Sequence, residues 1–116
     1  MKLTILLLLA LESGAAFAGT QSGTVNLVQT SYASSASHPG YMFLFLDGGT
    51  KTGSPACSTN ANGARWVINN AWPAAKSQLA ILLAALASGK QVQITGSNAC
   101  EVWGDSETVI DIRVLQ

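Results

Sequence analysis

The chain has 116 residues, of which 48% are hydrophobic and only 10% are charged, and its six basic and six acidic side chains give a formal net charge of zero. This composition excludes a disordered chain, which needs low hydrophobicity and a high net charge. It also argues against a nucleic-acid-binding protein, because such proteins show an excess of clustered Lys and Arg.

The first 18 residues have the organisation of a secretory signal peptide. Lys2 supplies a positive start, residues 3–11 form a short apolar stretch, and Ala16-Phe17-Ala18 is the small-x-small pattern that signal peptidase recognises. The apolar stretch is far shorter than the roughly 20 residues that span a bilayer, so we expect cleavage after Ala18 and no remaining membrane span. The predicted mature protein is a single domain of residues 19–116, secreted or periplasmic.

The chain contains two cysteines, Cys57 and Cys100. Export to an oxidising compartment predicts a disulfide between them. In the chain-entropy model, closing a loop of this length stabilises the fold by roughly 4 kcal/mol. Metal ligation or a catalytic thiol would need further Cys or His partners, and His38 is the only histidine.

Hydrophobic periodicity predicts five strands and one helix. The strands are expected over 24–32, 41–46, 65–68, 91–95 and 108–115, and on the last of them Ile110, Ile112 and Val114 share one face. The helix is expected over 74–88, with Asn69 or Asn70 as N-cap and Gly89 at its end. An α+β fold follows, in which an antiparallel sheet or small barrel is crossed by one helix between the third and fourth strands.

The predicted helix has no polar side chain from Leu79 to Ala87. A leucine stripe at helical spacing is expected to face the core: Leu79, Leu82, Leu83 and Leu86. Small and β-branched residues cover the rest of the circumference, among them Ala80, Ile81, Ala84 and Ala87. Either these alanines serve helix propensity alone, or they form the interface of a homo-oligomer in which small side chains let neighbouring helices approach.

The search for catalytic chemistry predicts that the protein is not an enzyme. The chain contains no His-Glu-x-x-His, Gly-x-Ser-x-Gly, Cys-x-x-Cys or phosphate-binding glycine motif, so no catalytic residue, metal or cofactor is assigned. His38 lies in a Ser-rich segment before a proline and is interpreted as a solvated loop residue. Four acidic residues near the C-terminus are the best remaining candidates, but without a calcium-loop pattern we interpret them as a solvated face: Glu101, Asp105, Glu107 and Asp111.

Aromatic residues give the other functional signal. Trp66 is expected in the core, whereas Trp103 beside Asp105 suits the apolar face of a sugar together with its hydroxyl groups. By their location, residues of the Ser-rich segment are added as ligand-binding candidates. The full set is Thr30, Ser31, Tyr32, Trp103 and Asp105.

Two resemblances are visible in these residues. The C-terminal part of the chain resembles a family of small exported proteobacterial proteins with no assigned function. The resemblance lies in the tract Leu83-Ala-Ala-Leu-Ala-Ser-Gly-Lys90, followed by Val92, Ile94, Gly96, Cys100, Trp103-Gly-Asp105 and Glu107-Thr-Val109. It covers about a quarter of the chain and implies export, but no activity.

A broader pattern is similar to the B subunits of the subtilase-cytotoxin and pertussis-like toxins. It consists of paired strands, then Pro55-Ala-Cys57, a Trp before a leucine-rich helix, and Ser88-Gly-Lys90 leading into Val92 and Ile94. The resemblance implies an OB-like domain, a ring-shaped homo-oligomer, a host glycan as ligand and an enzymatic partner subunit. This chain departs from that family in its single disulfide, and it matches none of the sugar-contacting positions.

The sequence therefore predicts an exported, non-enzymatic binding or assembly module that takes a glycan. The alternative is a small periplasmic protein with an unrecognised hydrolytic or inhibitory activity.

Overall fold

The computed structural model describes residues 18–31 and 40–116 of the chain. The predicted signal peptide up to residue 17, together with Tyr32 and His38, lies outside the described residues. The described elements are β1 (Thr20–Ser31), β2 (Tyr41–Asp47), β3 (Trp66–Asn69), α1 (Ala75–Ser88), β4 (Gln91–Gly96) and β5 (Glu107–Val114), with a short 3-10 turn at Asn60–Gly63. The α+β class, the five strands and the helix between the third and fourth strands are confirmed.

The sheet is mixed rather than antiparallel. Its hydrogen-bonded order is β1-β2-β3-β5-β4, and the pairing of β4 with β1 closes it into a barrel. Four of the neighbouring pairs are antiparallel, but β3 and β5 run parallel. Strand directions cannot alternate around a closed ring of five strands, so at least one neighbouring pair must be parallel. The predicted antiparallel sheet is therefore wrong at β3 and β5.

Strand β1 belongs to both halves of the barrel. Its first part pairs with β4, and its second part pairs with β2. Between the two parts Val25 lies opposite Leu46 and Leu27 lies opposite Phe45, which leaves Asn26 as an extra residue. Such a bulge bends a strand and increases its twist, which lets β1 turn from one partner to the other.

A second bulge corrects the predicted inner face of β5. Thr95 lies opposite Asp111 and Gly96 lies opposite Val109, so Ile110 is the extra residue. An extra residue shifts the alternation of side chains by one position. Val109 is buried as a result and Ile110 is 50% exposed, whereas Ile112 is buried as predicted and Val114, the last residue of β5, is 40% exposed.

The helix buries a stripe different from the predicted one. Its buried residues are Ala75, Gln78, Leu82 and Ala85, and Leu79 and Ile81 pack against the edge of the core. Leu83 and Leu86, which were predicted to face the core, are 49% and 47% exposed. The helix packs on β1, β4 and β5, and the position of these strands decides which side of an apolar helix is covered.

The helix ends as predicted but starts differently. Gly89 has φ 67° and forms the left-handed C-cap. The N-cap is Ala74, which makes no side-chain cap hydrogen bond. Asn69 instead accepts a hydrogen bond from the backbone N–H of Ala71 at 2.9 Å, so it stabilises the turn before the helix.

Within the described ranges, no helix has the length and apolar character needed to cross a bilayer.

A buried ion pair lies inside the barrel, next to Trp66. Lys51 Nζ is 3.1 Å from Glu107 Oε1, and the two side chains are 9% and 0% exposed. The ammonium group also donates to the Gly63 carbonyl at 3.0 Å and lies 3.8 Å above the Trp66 ring. Burial lowers the pKa of Lys51, although the hydrogen bond and the charge of Glu107 act in the opposite direction.

The space for this ion pair depends on Gly96. A Cβ atom at this position would overlap the carboxylate of Glu107 and would lie 2.8 Å from the Trp66 ring. The Trp66 indole N–H donates to Gln21 Oε1 at 2.8 Å, so β1, β3 and β5 meet at one buried polar centre. The prediction that Trp66 belongs to the core is confirmed, because the side chain is wholly buried.

We expect Lys51→Met to lower the free energy of unfolding by about 3–5 kcal/mol, because it leaves the Glu107 carboxylate buried without a cation. The double variant Lys51→Met, Glu107→Gln should cost less than the single variant, since the uncompensated charge is gone. Urea denaturation measures both values. Lys76→Met, at an exposed position of α1, is the matched control. A single-variant loss below about 1 kcal/mol would contradict the assignment.

Candidate functional site

Two aromatic side chains of β2 form the base of a surface cluster. Tyr41 and Phe43 lie on the opposite face of β2 from Met42 and Leu44, which enter the core, because strand side chains alternate. The ring centroids of Tyr41 and Phe43 are 4.5 Å apart. Together with Trp103 these two residues make up what we call the aromatic cluster.

Trp103 reaches the cluster from residues 97–106, the segment between β4 and β5. Its ring centroid lies 4.4 Å from that of Tyr41, with the planes tilted by 48°. It also meets Phe43 edge to face at 5.6 Å, an arrangement that aromatic quadrupoles favour. Phe43 is only 6% exposed, whereas Tyr41 and Trp103 are partly exposed. The accessible part of the cluster is therefore formed by Tyr41 and Trp103 over a buried Phe43.

The segment that carries Trp103 is tied down at two points. The predicted disulfide is confirmed, and it joins Cys57, in the segment between β2 and β3, to Cys100. The backbone carbonyl of Asp105 accepts hydrogen bonds from the N–H groups of Thr59 and Asn60, both at 3.1 Å. Residues 97–106 are thus held against residues 57–60 on both sides of Trp103.

Arg65 links this tether to the aromatic cluster. It donates to Asp105 Oδ1 at 2.6 Å and to Ser106 Oγ at 2.8 Å. Its guanidinium carbon lies 3.9 Å from the centre of the Phe43 ring, within the range of a cation–π interaction. Because Arg65 is paired with Asp105, this part of the surface carries both signs of charge in contact and no excess of either.

The carboxylate of Asp105 is ionised and accepts several hydrogen bonds. Its slight burial raises the pKa, but hydrogen bonds from Asn60, Ser106 and Arg65 and the charge of Arg65 outweigh this effect and hold the pKa below its usual value. The Asp105 side chain is 40% exposed. Both carboxylate oxygens therefore accept hydrogen bonds that anchor the segment, while part of the side chain stays accessible to solvent.

The structure brings together some of the predicted ligand-binding residues. Trp103 and Asp105 lie in one segment, and in the β1–β2 ladder Ser31 is opposite Tyr41. Thr30 is opposite Met42 and lines a different depression of about 290 Å³, next to Asn70, Lys76 and Leu79. Tyr32 lies outside the described residues. Thr30 is therefore separated from the aromatic cluster.

Three residues of this surface were not among the predicted ligand-binding positions: Tyr41, Phe43 and Arg65. The alternation Tyr41-x-Phe43 is visible in the sequence, but the run 41–46 is apolar at nearly every position, a pattern that also fits a strand covered on both faces. The contact of Arg65 with residues 105 and 106 spans about 40 positions, and no local pattern predicts it.

The four acidic residues do not form one face. Glu107 is wholly buried against Lys51, and Asp105 is paired with Arg65. Asp111 pairs with Arg113 at the surface, and Glu101 accepts from Ser97. The interpretation of these residues as a solvated face is therefore wrong for Glu107, which loses all contact with solvent. In residues 18–31 and 40–116, no three His, Cys, Asp or Glu side chains are grouped so as to hold a metal ion.

The predicted interface residues of the helix are divided between surface and core. Ala80, Ala84 and Ala87 are exposed. Ile81 is half-buried and packs against the core, so it contributes to the fold of the single chain.

The low pKa of Asp105 predicts acid-sensitive stability. A carboxyl group whose folded-state pKa is depressed stabilises the fold above its unfolded pKa of about 3.9, and this contribution is lost as the pH falls through the folded-state value. We therefore expect Asp105→Asn to lower the melting temperature at pH 7, with the difference from wild type shrinking as the pH falls below about 4. Circular dichroism measures both chains. Asp111→Asn, in an exposed pair, should change little, and an equal effect at this control position would contradict the prediction.

Comparisons of the chain with protein-family models, with curated protein sequences and with solved structures found no match.

Proposed function

We propose that this chain is an exported carbohydrate-binding module of OB-like architecture, and that the aromatic cluster is its sugar-binding surface. The observation that carries the proposal is the tilted Tyr41–Trp103 pair, which is partly exposed at a centroid distance of 4.4 Å. Aromatic faces of this kind pack against the C–H groups of a sugar ring, while nearby polar groups bind its hydroxyls.

The strand order supports the OB-like assignment. A closed five-stranded barrel with the order 1-2-3-5-4 and a helix between strands 3 and 4 has the connectivity expected of an OB-like domain. OB folds bind oligosaccharides and oligonucleotides on the face of strands 2 and 3 and on the loops after strands 1 and 4. Tyr41 and Phe43 lie on β2, Arg65 directly precedes β3, and Trp103 lies between β4 and β5. The aromatic cluster therefore occupies the part of the fold that binds ligands in this architecture.

The charge of the surface favours a sugar over a nucleic acid. Without Lys2 and Glu12, the chain carries five basic and five acidic residues, and Arg65 at the cluster is already paired with Asp105 at 2.6 Å. Binding to a phosphate backbone needs several unpaired Lys and Arg side chains. A neutral glycan requires none, and the exposed part of the Asp105 carboxylate offers its hydroxyl groups a hydrogen-bond acceptor.

A glycan array probed with the exported protein tests this proposal. We expect binding to at least one oligosaccharide, and a loss of about tenfold or more in affinity for Trp103→Ala, because a lost ring contact of about 1.4 kcal/mol changes the dissociation constant tenfold. Tyr41→Phe should retain most of the affinity, since it keeps the ring.

Trp72→Ala is the matched control, since it removes a half-buried tryptophan from the turn before α1. The proposal would be contradicted if the protein bound no glycan on the array, or if Trp103→Ala left the binding unchanged.

Assembly is a second candidate function, and the exposed side of α1 supports it. Leu83 and Leu86 are about half exposed, and Ala80, Ala84 and Ala87 lie on the surface of the same helix. Lys76 is the single charged residue between Ala75 and Ser88. Two copies of this face could meet with little like-charge repulsion, and exposed apolar patches mark contact sites on soluble proteins. We propose that the partner is a second copy of this chain.

Light scattering on the exported protein at about 50 µM, well above the dissociation constant of a micromolar complex, checks this proposal. Wild type should have a mass above that of one chain, and Leu83→Glu should reduce it to one chain. Leu27→Glu changes an exposed leucine on β1 and should leave the mass unchanged. A strictly monomeric wild type would remove the assembly function and leave the sugar-binding proposal intact.

A further inference from the structure

The beginning of β1 lies directly against the buried carboxylate of the barrel. The backbone nitrogen of Gly19 donates a hydrogen bond to Glu107 Oε2 at 2.9 Å, and the nitrogen of Asn98 donates to the same oxygen at 3.1 Å. The other oxygen, Oε1, is 3.1 Å from Lys51 Nζ. The carbonyl of Gly19 accepts from the Gly96 N–H at 2.9 Å. Residue 19 is therefore held on both sides of its backbone.

Position 19 is also the first residue after the predicted signal-peptide cleavage site. While Ala18 is attached, the nitrogen of Gly19 is a neutral amide with one hydrogen. Hydrolysis breaks the bond between the Ala18 carbonyl carbon and this nitrogen, and the water oxygen joins the carbon. Ala18 leaves as a carboxylate, and the nitrogen gains both protons of the water to become a terminal ammonium group.

We propose that the α-ammonium group of Gly19, released by a signal peptidase after Ala18, forms an ion pair with the buried Glu107 carboxylate, so that processing completes the polar centre of the barrel. The proposal rests on the predicted cleavage site and is independent of the sugar-binding function. It assigns to Gly19 and Glu107 an ion pair that the unprocessed chain cannot form, because the Gly19 nitrogen is then a neutral amide.

The geometry allows the carboxylate to take a second cation. Lys51 is on Oε1 and the Gly19 nitrogen is on Oε2, so each cation has its own oxygen. Lys51 has further partners that share its charge, namely the Gly63 carbonyl at 3.0 Å, Ser58 Oγ at 3.3 Å and the Trp66 ring. Before cleavage, the described donors to Oε2 are the neutral backbone amides of Gly19 and Asn98. A charge-assisted hydrogen bond is roughly twice as strong as a neutral one.

Position 19 has room for glycine and for little else. A Cβ atom there would overlap a Glu107 carboxylate oxygen and would lie 2.5 Å from Lys51 Cε and 3.1 Å from the Gly53 carbonyl oxygen. Any side chain at the new terminus would push its own amino group away from the carboxylate. Cleavage at this residue therefore places an amino group where it can approach Glu107.

The same contacts set the order of events. Gly19 is paired with Gly96 in the folded barrel, and Ala18 is half-buried. A protease needs the scissile bond in an accessible, extended segment. Cleavage should therefore precede closure of the barrel, during export.

The experiment compares three forms of the protein: the exported chain beginning at Gly19, the same chain with an N-acetylated Gly19, and a chain retaining Ala18. Acetylation restores the amide and removes only the charge. At pH 6 the free-amine form should melt about 5 °C above the other two. The gap should shrink above about pH 8, where a free α-amino group loses its proton. The titratable groups that face this site are Lys51 and Glu107, and both remain the same in all three forms.

Two further measurements identify the partner. In a Glu107→Gln background, acetylation should no longer change the melting temperature. Should that variant fail to fold, the rate of reaction of the wild-type α-amino group with an amine-specific reagent replaces it. Burial in the ion pair predicts a rate roughly tenfold or more below that of the same α-amino group in the urea-denatured chain. An exported chain that begins at another residue, a free-amine form no more stable than the acetylated form, or an α-amino group as reactive in the folded chain as in the urea-denatured chain would each overturn the proposal.

Discussion

The carboxylate of Glu107 connects more of this fold than any other described group. It stands at the start of β5 and accepts hydrogen bonds from the chain before β1 and from the segment after β4, while Lys51 of the β2–β3 segment is its cation. A buried charge of this kind is costly unless each lone pair has a partner. The closed barrel supplies these partners from three separate parts of the chain, so the site exists only when all of them are in place.

The aromatic cluster depends on a second, more exposed set of interactions. The disulfide and the pair Arg65–Asp105 hold the β4–β5 segment against the segment before β3. These tethers place Trp103 against Tyr41 and Phe43, and the Arg65 guanidinium lies over the Phe43 ring. A surface that is fixed in this way loses little conformational entropy when it binds a ligand, which is what preorganisation means for affinity.

Several features were correctly predicted because they depend on local patterns. A short apolar or alternating run forms a strand, and a glycine at the left-handed position ends a helix, whatever the rest of the chain does. The disulfide was predicted from a count of two cysteines and from the predicted signal peptide. The errors lie where the tertiary structure changes a local rule. The bulge at Ile110 puts Val109 rather than Ile110 on the inner face of β5, and the apolar helix exposes Leu83 rather than Ala85 because of where the barrel lies.

The sequence by itself determined the class of fold, the number of strands, the position of the helix, the disulfide and the presence of Trp103 and Asp105 in one segment. Only the tertiary structure decided that β3 runs parallel to β5, that Glu107 is buried while Asp105 anchors a loop, and that Trp103 packs against Tyr41 and Phe43. The physical reason is the separation along the chain. Phe43 meets Arg65 and Trp103 only after the ring of strands has closed. No pattern confined to a few neighbouring residues shows which distant segments this closure brings together.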